Sequence, residues 1–396
     1  MLFRSRFEST IETTGPIVDG VLKGDLVVVG SGDPSLGGRA GDDLSVWATA
    51  LKVMGIHAIE GRIVGDDDAL DDPRPGAMWA WDDLGYAFGA LYGALNLAEN
   101  RMTVTVIPGA NEGEPPTLAL EPASSARQVI NRIVTGPRRS TQLIWPEQRP
   151  GEAALTVAGS VPAGGMNARL NVSAGNPTEW FASVLRQCLL DEGIDVAGEA
   201  VDIDEAGPFE QPVSTVIYTY RSHPLAELAQ PMMKDSINLY GEAMLRLNAM
   251  AAPRTNDAAL EGMQRRLAAW GVPKDAVQVI DGSGVSRRDV IAPETLLAVL
   301  RRMYDPSETS PWMMAMPVAG RDGTLAGRMK GTAAENNVRA KTGTMSNVRS
   351  LAGYLRTRDG ERLAFAMMVN NFEGSGAQAV AAMDSIAVRL ANFSRN

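Results

Sequence analysis

Val338-Arg339-Ala340-Lys341-Thr342-Gly343-Thr344 reads as a strand that runs into a turn glycine, and the fold of the chain is decided around it. Leu351 to Arg356 and Leu363 to Val369 give two more strands, and Asp359-Gly360 between them is a strong hairpin signal. A closing helix carries Val380, Met383, Ile386, Ala387, Leu390 and Phe393 on one face. Upstream, Pro293-Glu294 opens a helix that runs to about Met303. Another, marked by Leu260, Met263, Leu267 and Trp270, is stopped by Gly271 and Pro273. An antiparallel meander with helices laid on it makes this part of the chain α+β.

The first half is β-rich. Leu22 to Gly32 alternates into the turn residues Gly30-Ser31-Gly32-Asp33-Pro34 and is expected to form one strand. Further strands are expected at Gly61 to Val64, Met102 to Ile107, Thr117 to Leu120, Thr141 to Trp145, Ala154 to Ala158 and Leu170 to Ser173. One clear helix interrupts them after Asn176-Pro177-Thr178-Glu179, a cap, a first-turn proline and an acidic third position. Cys188 falls on its apolar stripe with Phe181, Val184, Leu185 and Leu189, so it reads as a packing residue.

Composition excludes several functions. Thirty-seven basic against 47 acidic residues leave a net charge of −10, a poor match for phosphate backbones, so no nucleic-acid partner is expected. Two histidines and one cysteine leave little for zinc ligation or a His-dependent triad, and no disulfide can close within the chain. No run approaches the roughly 18–20 apolar residues of a membrane helix. The opening Met-Leu-Phe-Arg-Ser-Arg is too polar for the apolar segment of a signal peptide.

Chemistry concentrates in two places. Lys341-Thr342-Gly343 ends a strand just before a chain reversal, but such a triplet arises by chance in about one chain of this size in ten. Ser236-Ile237-Asn238 lies between two helical stretches, after Pro231. Capping of the second helix would account for Ser236 or Asn238. The same loop can instead present a hydroxyl that relays a proton and an amide that holds a peptide group through donor and acceptor. Asp281-Gly282-Ser283-Gly284 lacks the strand-to-helix setting and the spare histidine of a nucleophile elbow, so it reads as a turn near the cleft. Asp82-Asp83 has no suitably spaced second carboxylate for glycosidase chemistry and reads as surface polarity.

Together these motifs resemble the penicillin-binding D-alanyl-D-alanine carboxypeptidase/endopeptidase family, low-molecular-mass class C, whose elements are Ser-x-x-Lys, Ser-x-Asn and Lys-Thr-Gly. The likeness extends through Gly24 to Leu36, Gly61 to Asp66, Trp81-Asp82-Asp83 with Tyr86, Ser222 to Leu225, Ser236 to Glu242, Asp281 to Arg287, Pro317 to Leu325 and Val338 to Thr344. The resemblance implies an α+β, transpeptidase/β-lactamase-like catalytic domain, an antiparallel sheet flanked by helices, split by a long insertion. Residues 1–215 would be mostly inserted β-rich accessory domains, two and nested, and 216–396 the larger catalytic piece. It implies Ser236 as proton relay, Asn238 as holder of the substrate peptide group, and Lys341 with Thr342 as the site of the terminal carboxylate. Thr344 would give half of an oxyanion hole through its backbone N–H, and Gly343 would permit close approach. Peptidoglycan stem peptides and β-lactams are the implied partners, the periplasm or another extracytoplasmic space the implied location. No cofactor or metal is implied.

One element of the pattern is missing. No serine in the chain is followed three positions later by lysine, so the nucleophile and the lysine that activates it are absent from these residues and the catalytic domain is expected to be N-terminally incomplete. Ser236, with no base beside it in the sequence, is expected to be a weak nucleophile. Met1 is expected to be an internal methionine of a longer protein, and the chain as written to be close to inert. Such a loss should leave apolar surface uncovered or a strand edge unpaired. The alternatives are a non-catalytic wall-peptide or β-lactam binding module, and a β-lactamase or esterase of the same superfamily.

Overall fold

The computed structural model describes residues 2–124, 126–149, 151–207, 215–250 and 253–395; Met1 lies outside them. The chain divides into two compact units, one of Arg6–His223 with Met250–Asn256, the other of Met1–Ser5, Pro224–Ala249 and Asp257–Asn396.

In the first unit, strand β1 (Glu8–Thr13) alternates, with Ser9, Ile11 and Thr13 buried. The stretch expected as one strand from Leu22 to Gly32 is divided. After β2 (Ile17–Val18), β3 (Val21–Leu22) ends where Gly24 passes close to the backbone of Gly15, and β4 (Leu26–Val29) begins in a different sheet. The carboxylate of Asp25, at the crossing, accepts from the backbone N–H and the guanidinium of Arg62, both at 2.7 Å. Lys23-Gly24-Asp25 interrupts the apolar residues at this point, but alternation alone does not show that the two halves enter different sheets.

A second helix joins the expected one. Helix α1 (Ser45–Val53) has no side-chain cap and runs for nine residues, a weak sequence signal, yet it buries Trp47, Ala48 and Leu51. Strands β5 (Ala58–Ile59) and β6 (Ile63–Asp66) follow. Six strands come next: β7 (Arg101–Ile107), β8 (Thr117–Glu121), β9 (Val129–Gly136), β10 (Leu143–Glu147), β11 (Leu155–Pro162) and β12 (Ala168–Ser173). They form two three-stranded sheets, ordered β12-β7-β8 and β10-β11-β9. Helix α2 (Pro177–Asp191) starts as the sequence indicates, the side chain of Asn176 accepting from the N–H groups of Thr178 and Glu179. Strands β13 (Asp195–Val196), β14 (Ala200–Asp202) and β15 (Thr215–Arg221) complete a five-stranded sheet, β14-β6-β4-β1-β15, and a four-stranded one, β13-β5-β3-β2. Trp47 meets Phe181 edge-on, ring centroids 5.6 Å apart, in the core between α1 and α2.

The second unit builds on helices α3 (Leu225–Lys234), α4 (Asn238–Arg246) and α5 (Asn256–Ala269), then the hairpin β16 (Val277–Gln278) and β17 (Val290–Ile291). Helices α6 (Pro293–Met303) and α7 (Pro311–Ala315) precede the meander β18 (Arg339–Met345), β19 (Val348–Arg356) and β20 (Arg362–Asn370), which is antiparallel throughout, and helix α8 (Gly376–Ala391) ends the unit. Gly360, at φ +87°, takes the turn expected of Asp359-Gly360.

One face of the meander packs Ala340, Leu351, Leu355 and Phe365 against Met383, Ala387 and Ala391 of α8. Ile386 and Phe393, expected on that helix face, are half-exposed; small alanines occupy the contact and let the helix approach the sheet. On the opposite face Tyr354 joins Leu300, Met313 and Met233. Strands β18 and β20 each have one strand neighbour among the described residues. No helix among them is long and apolar enough to cross a membrane.

Candidate active site

Pro231 lies inside α3, which ends three residues later at Lys234. The N–H groups of Asp235 and Ile237 both reach back to the carbonyl of Pro231, at 3.2 and 3.3 Å. Between them Ser236 takes φ +59°, the left-handed region that a residue with a Cβ enters at a cost. Ile237, not Ser236 or Asn238, is the N-cap of α4, and no side chain makes the cap hydrogen bond. The capping reading of both polar residues is therefore corrected: Ser236 stands outside the helix and Asn238 is its first residue.

Strand β18 alternates, so Ala340 is buried against α8 and Lys341 projects from the other face. Its ammonium donates to Ser236 Oγ at 2.6 Å and to the carbonyl of Thr342 at 2.9 Å. Burial pulls the lysine down to about 8. With its oxygen engaged by the ammonium, Ser236 has its own proton to give elsewhere. The lysine lies 105 residues from Ser236 in sequence, so their contact comes from the fold and not from a local motif.

The other expected residues are placed as follows. Thr342 Oγ1 donates to Thr324 Oγ1 at 2.9 Å. Gly343 faces Ser350 across the ladder, and a Cβ on it would lie 2.2 Å from Ser350 Oγ, so the space beside the glycine is taken by that hydroxyl. Thr344 is exposed, opposite Arg349. Ser236 and Lys341 are thus in contact and Thr342 and Gly343 adjoin them along β18, while Asn238 follows two residues after Ser236.

Sequence reading missed a supporting set. Lys234 Nζ donates to Asp322 Oδ2 at 2.6 Å, and Asp322 Oδ1 accepts from the N–H of Val318 at 2.9 Å. Gly323, at φ +57°, lies so close to Lys234 that a Cβ would be 2.7 Å from the lysine carbonyl. The only earlier signal was that Arg321 to Leu325 lies in a run matching the family.

Asp281-Gly282-Ser283-Gly284 is a turn. Asp281 accepts from the N–H groups of Gly284 and Ser286, at 2.6 and 2.7 Å, and Glu242 Oε1 from those of Gly282 and Ser283, at 3.1 and 2.9 Å. Gly241 on α4 and Gly282 touch backbone to backbone, leaving no room for a Cβ on either. Burial, with a hydrogen bond and charge repulsion from Asp281, pushes Asp289 up to about 8. Burial also raises Glu242.

In the first unit, burial pushes the Cys188 thiol up to about 11, in keeping with a packing role. Asp67, Asp202 and Asp204 bring carboxylate oxygens within 4.8 Å of one another, a grouping spread over 138 positions of sequence and so invisible to motif reading. Asp67, pushed up to about 6 mainly by burial, accepts from Thr178 Oγ1 at 2.6 Å. Among the described residues, these three are the acidic grouping that could hold a cation.

The chain matches the model of the D-Ala-D-Ala carboxypeptidase 3 (S13) family over residues 4–393. It is 33% identical over 383 residues to a D-alanyl-D-alanine carboxypeptidase from an Actinomadura species, covering 93% of this chain and 69% of that protein. It is 27% identical over 377 residues to the D-alanyl-D-alanine carboxypeptidase DacB of Haemophilus influenzae, covering 93% and 76%. The crystal structure of penicillin binding protein 4 (dacB) from Haemophilus influenzae superposes with a TM-score of 0.82 at 25% identity, over 98% of this chain and 87% of the other.

Proposed function

The chain belongs to the D-Ala-D-Ala carboxypeptidase 3 (S13) family, and from that membership we propose that its groove takes the C-terminal D-Ala-D-Ala of peptidoglycan stem peptides and the β-lactams that imitate it. The observation that carries the reading is the 2.6 Å contact between Lys341 Nζ and Ser236 Oγ. Ser236 passes a proton toward the leaving amine, and Lys341 supports it. Asn238 holds the substrate's peptide group. Lys341 and Thr342 attract the terminal carboxylate, a use of fixed positive charge in a shielded cleft. The N–H of Thr344 supplies half of the oxyanion hole. The unit containing Pro224–Ala249 is the larger part of the catalytic domain, the unit of Arg6–His223 its inserted accessory part. The protein works outside the cytoplasm, where the wall peptides are.

These 396 residues hold no Ser-x-x-Lys. By themselves they bind the substrate without forming an acyl-enzyme, because loss of a serine nucleophile costs about 10⁶ in rate in a related chemistry. A second reading draws on the same contact: a lysine brought down to about 8 beside a hydroxyl is a Ser-Lys pair, in which neutral Lys341 takes the Ser236 proton as the oxygen attacks.

Intact-mass analysis of the 396-residue chain after incubation with benzylpenicillin, followed by peptide mapping, separates the two. The binding reading expects no covalent adduct and displacement of reversibly bound penicillin by a D-Ala-D-Ala peptide. An adduct on Ser236 would replace it with the second reading, and an adduct on any other serine would refute both.

A further inference from the structure

Asp322 has no part in the chemistry assigned so far, yet its two oxygens hold opposite sides of the Ser236–Lys341 pair. On one side, Oδ1 accepts from the N–H of Val318 at 2.9 Å. Val318 is bridged antiparallel to Arg339, the N–H of Ala319 donates to the carbonyl of Val338, and that of Ala340 to the carbonyl of Pro317. The segment carrying Asp322 is thus stitched to the start of β18, up to the residue before Lys341. On the other side, Oδ2 accepts from Lys234 Nζ at 2.6 Å, and Lys234 stands two residues before Ser236. The mostly exposed Arg321 lies 3.9 Å from that oxygen, so Lys234 is the nearer cation. Gly323 adds a second grip: at φ +57° it fits where a Cβ would be 2.7 Å from the Lys234 carbonyl oxygen.

The serine loop needs such a hold. Ser236 sits at φ +59°, a conformation that costs a residue with a Cβ and persists only where its surroundings impose it. The loop's own hydrogen bonds, both to the Pro231 carbonyl, are long at 3.2 and 3.3 Å. The ion pair before it is short, and its side chains are only 23% and 27% exposed, so salt and solvent screen it less than a surface pair. We infer that Asp322 is a positioning residue, which through Lys234 keeps the Ser236 hydroxyl against the Lys341 ammonium. The inference rests on the reading of that pair as the working centre of the groove.

The test makes two measurements on the full chain. One is an NMR titration of Lys341, its signal assigned with Lys341→Met; the other is calorimetric titration with a blocked peptide ending in D-Ala-D-Ala. Asp322→Asn keeps an acceptor for Val318 and loses the ion pair. With Ser236 released, Lys341 is expected to gain water and to titrate at least about one pH unit higher, toward its ordinary 10.5. Peptide affinity is expected to fall about tenfold, the scale of a hydrogen bond between charged groups. Lys234→Met should match both effects and the double variant should exceed neither, because one interaction is lost in all three. Lys234→Arg should recover most of the loss. Arg328→Met, which breaks a pair of the same 2.6 Å length with Asp384, is expected to lower stability and leave both readouts unchanged. A Lys341 titration that stays at about 8 in Asp322→Asn would overturn the inference. So would a loss of peptide affinity in Asp322→Asn no larger than in Arg328→Met, since the residue would then be merely structural. An unmodified chain that does not bind the peptide would refute the reading of the groove, and the lysine titration alone would then decide the inference.

Discussion

A lysine folded against a serine hydroxyl alters both. Lys341 gives up part of its affinity for protons to burial, and Ser236 has its oxygen oriented by an ammonium and its backbone held at φ +59°. The motif letters were readable in the sequence; the contact was not, since 105 positions separate the pair and only the fold closes them. Thr324 was less readable still, because a threonine in a turn has no signature of its own until Thr342 is seen donating to it. The left-handed backbone at Ser236 gives a direct check. Both Ser236→Ala and Ser236→Gly lose the hydroxyl, but only glycine escapes the steric cost of that conformation. Thermal or denaturant unfolding is expected to find the glycine variant more stable than the alanine variant by about 1 kcal/mol, glycine's extra unfolded-state freedom offsetting part of the relief. The reverse order would mean that residue 236 is not held in that conformation.

Elements were legible where a period or a terminus announced them. The start of α2, the span of α6 and the three strands of the meander follow from Asn176, from Pro293-Glu294 and from the turn at Asp359-Gly360. The division of Leu22 to Gly32 and the short helix α1 did not, because each is set by which sheet or core the segment joins rather than by its own pattern. Two element-level outcomes follow. A Cβ on Gly353 of β19 would lie 2.0 Å from the carbonyl oxygen of Arg339, a backbone atom, whereas one on Gly343 meets only the Ser350 hydroxyl, which can rotate. Gly353→Ala is therefore expected to cost about 1–3 kcal/mol in chemical denaturation, and Gly343→Ala distinctly less. Equal costs would show that the β18–β19 ladder does not depend on the close approach at Gly353.

The turn beneath α4 should register pH. Asp289 shares a hydrogen bond with Asp281, with Glu242 buried nearby and Arg246 on the same helix acting on Glu242. A carboxyl held at about 8 in the folded chain and near 3.8 unfolded stabilises the fold fully below the lower value. That contribution is lost as pH rises from about 4 to about 8 and changes no further above it. Asp289→Asn keeps a donor toward Asp281 and removes the titration. Its melting temperature relative to the unmodified chain is expected to climb across that window, by the equivalent of at most about 1.4 kcal/mol per pH unit, and then level off. A difference independent of pH would show that Asp289 does not hold the shared proton.

At the scale of the whole molecule, the family could be read from the sequence because its motifs are collinear over most of the chain, and the match over residues 4–393 agrees with that. The two units could not be bounded from composition. Residues 1–5 already belong to the second unit; the chain comes back to it at Pro224 and visits the first again for residues 250–256, an excursion with no change in residue usage to mark it. The proposed chemistry comes down to the Lys341 ammonium, which the fold buries beside the Ser236 hydroxyl and the Thr342–Thr324 pair. Titration of the 396-residue chain with a blocked D-Ala-D-Ala peptide between pH 7 and 9, beside Lys341→Met, tests that claim most directly. The expected result is binding that weakens as pH rises through about 8 and falls at least tenfold at pH 7 in the variant. Affinity that is the same in both proteins and flat in pH would contradict it.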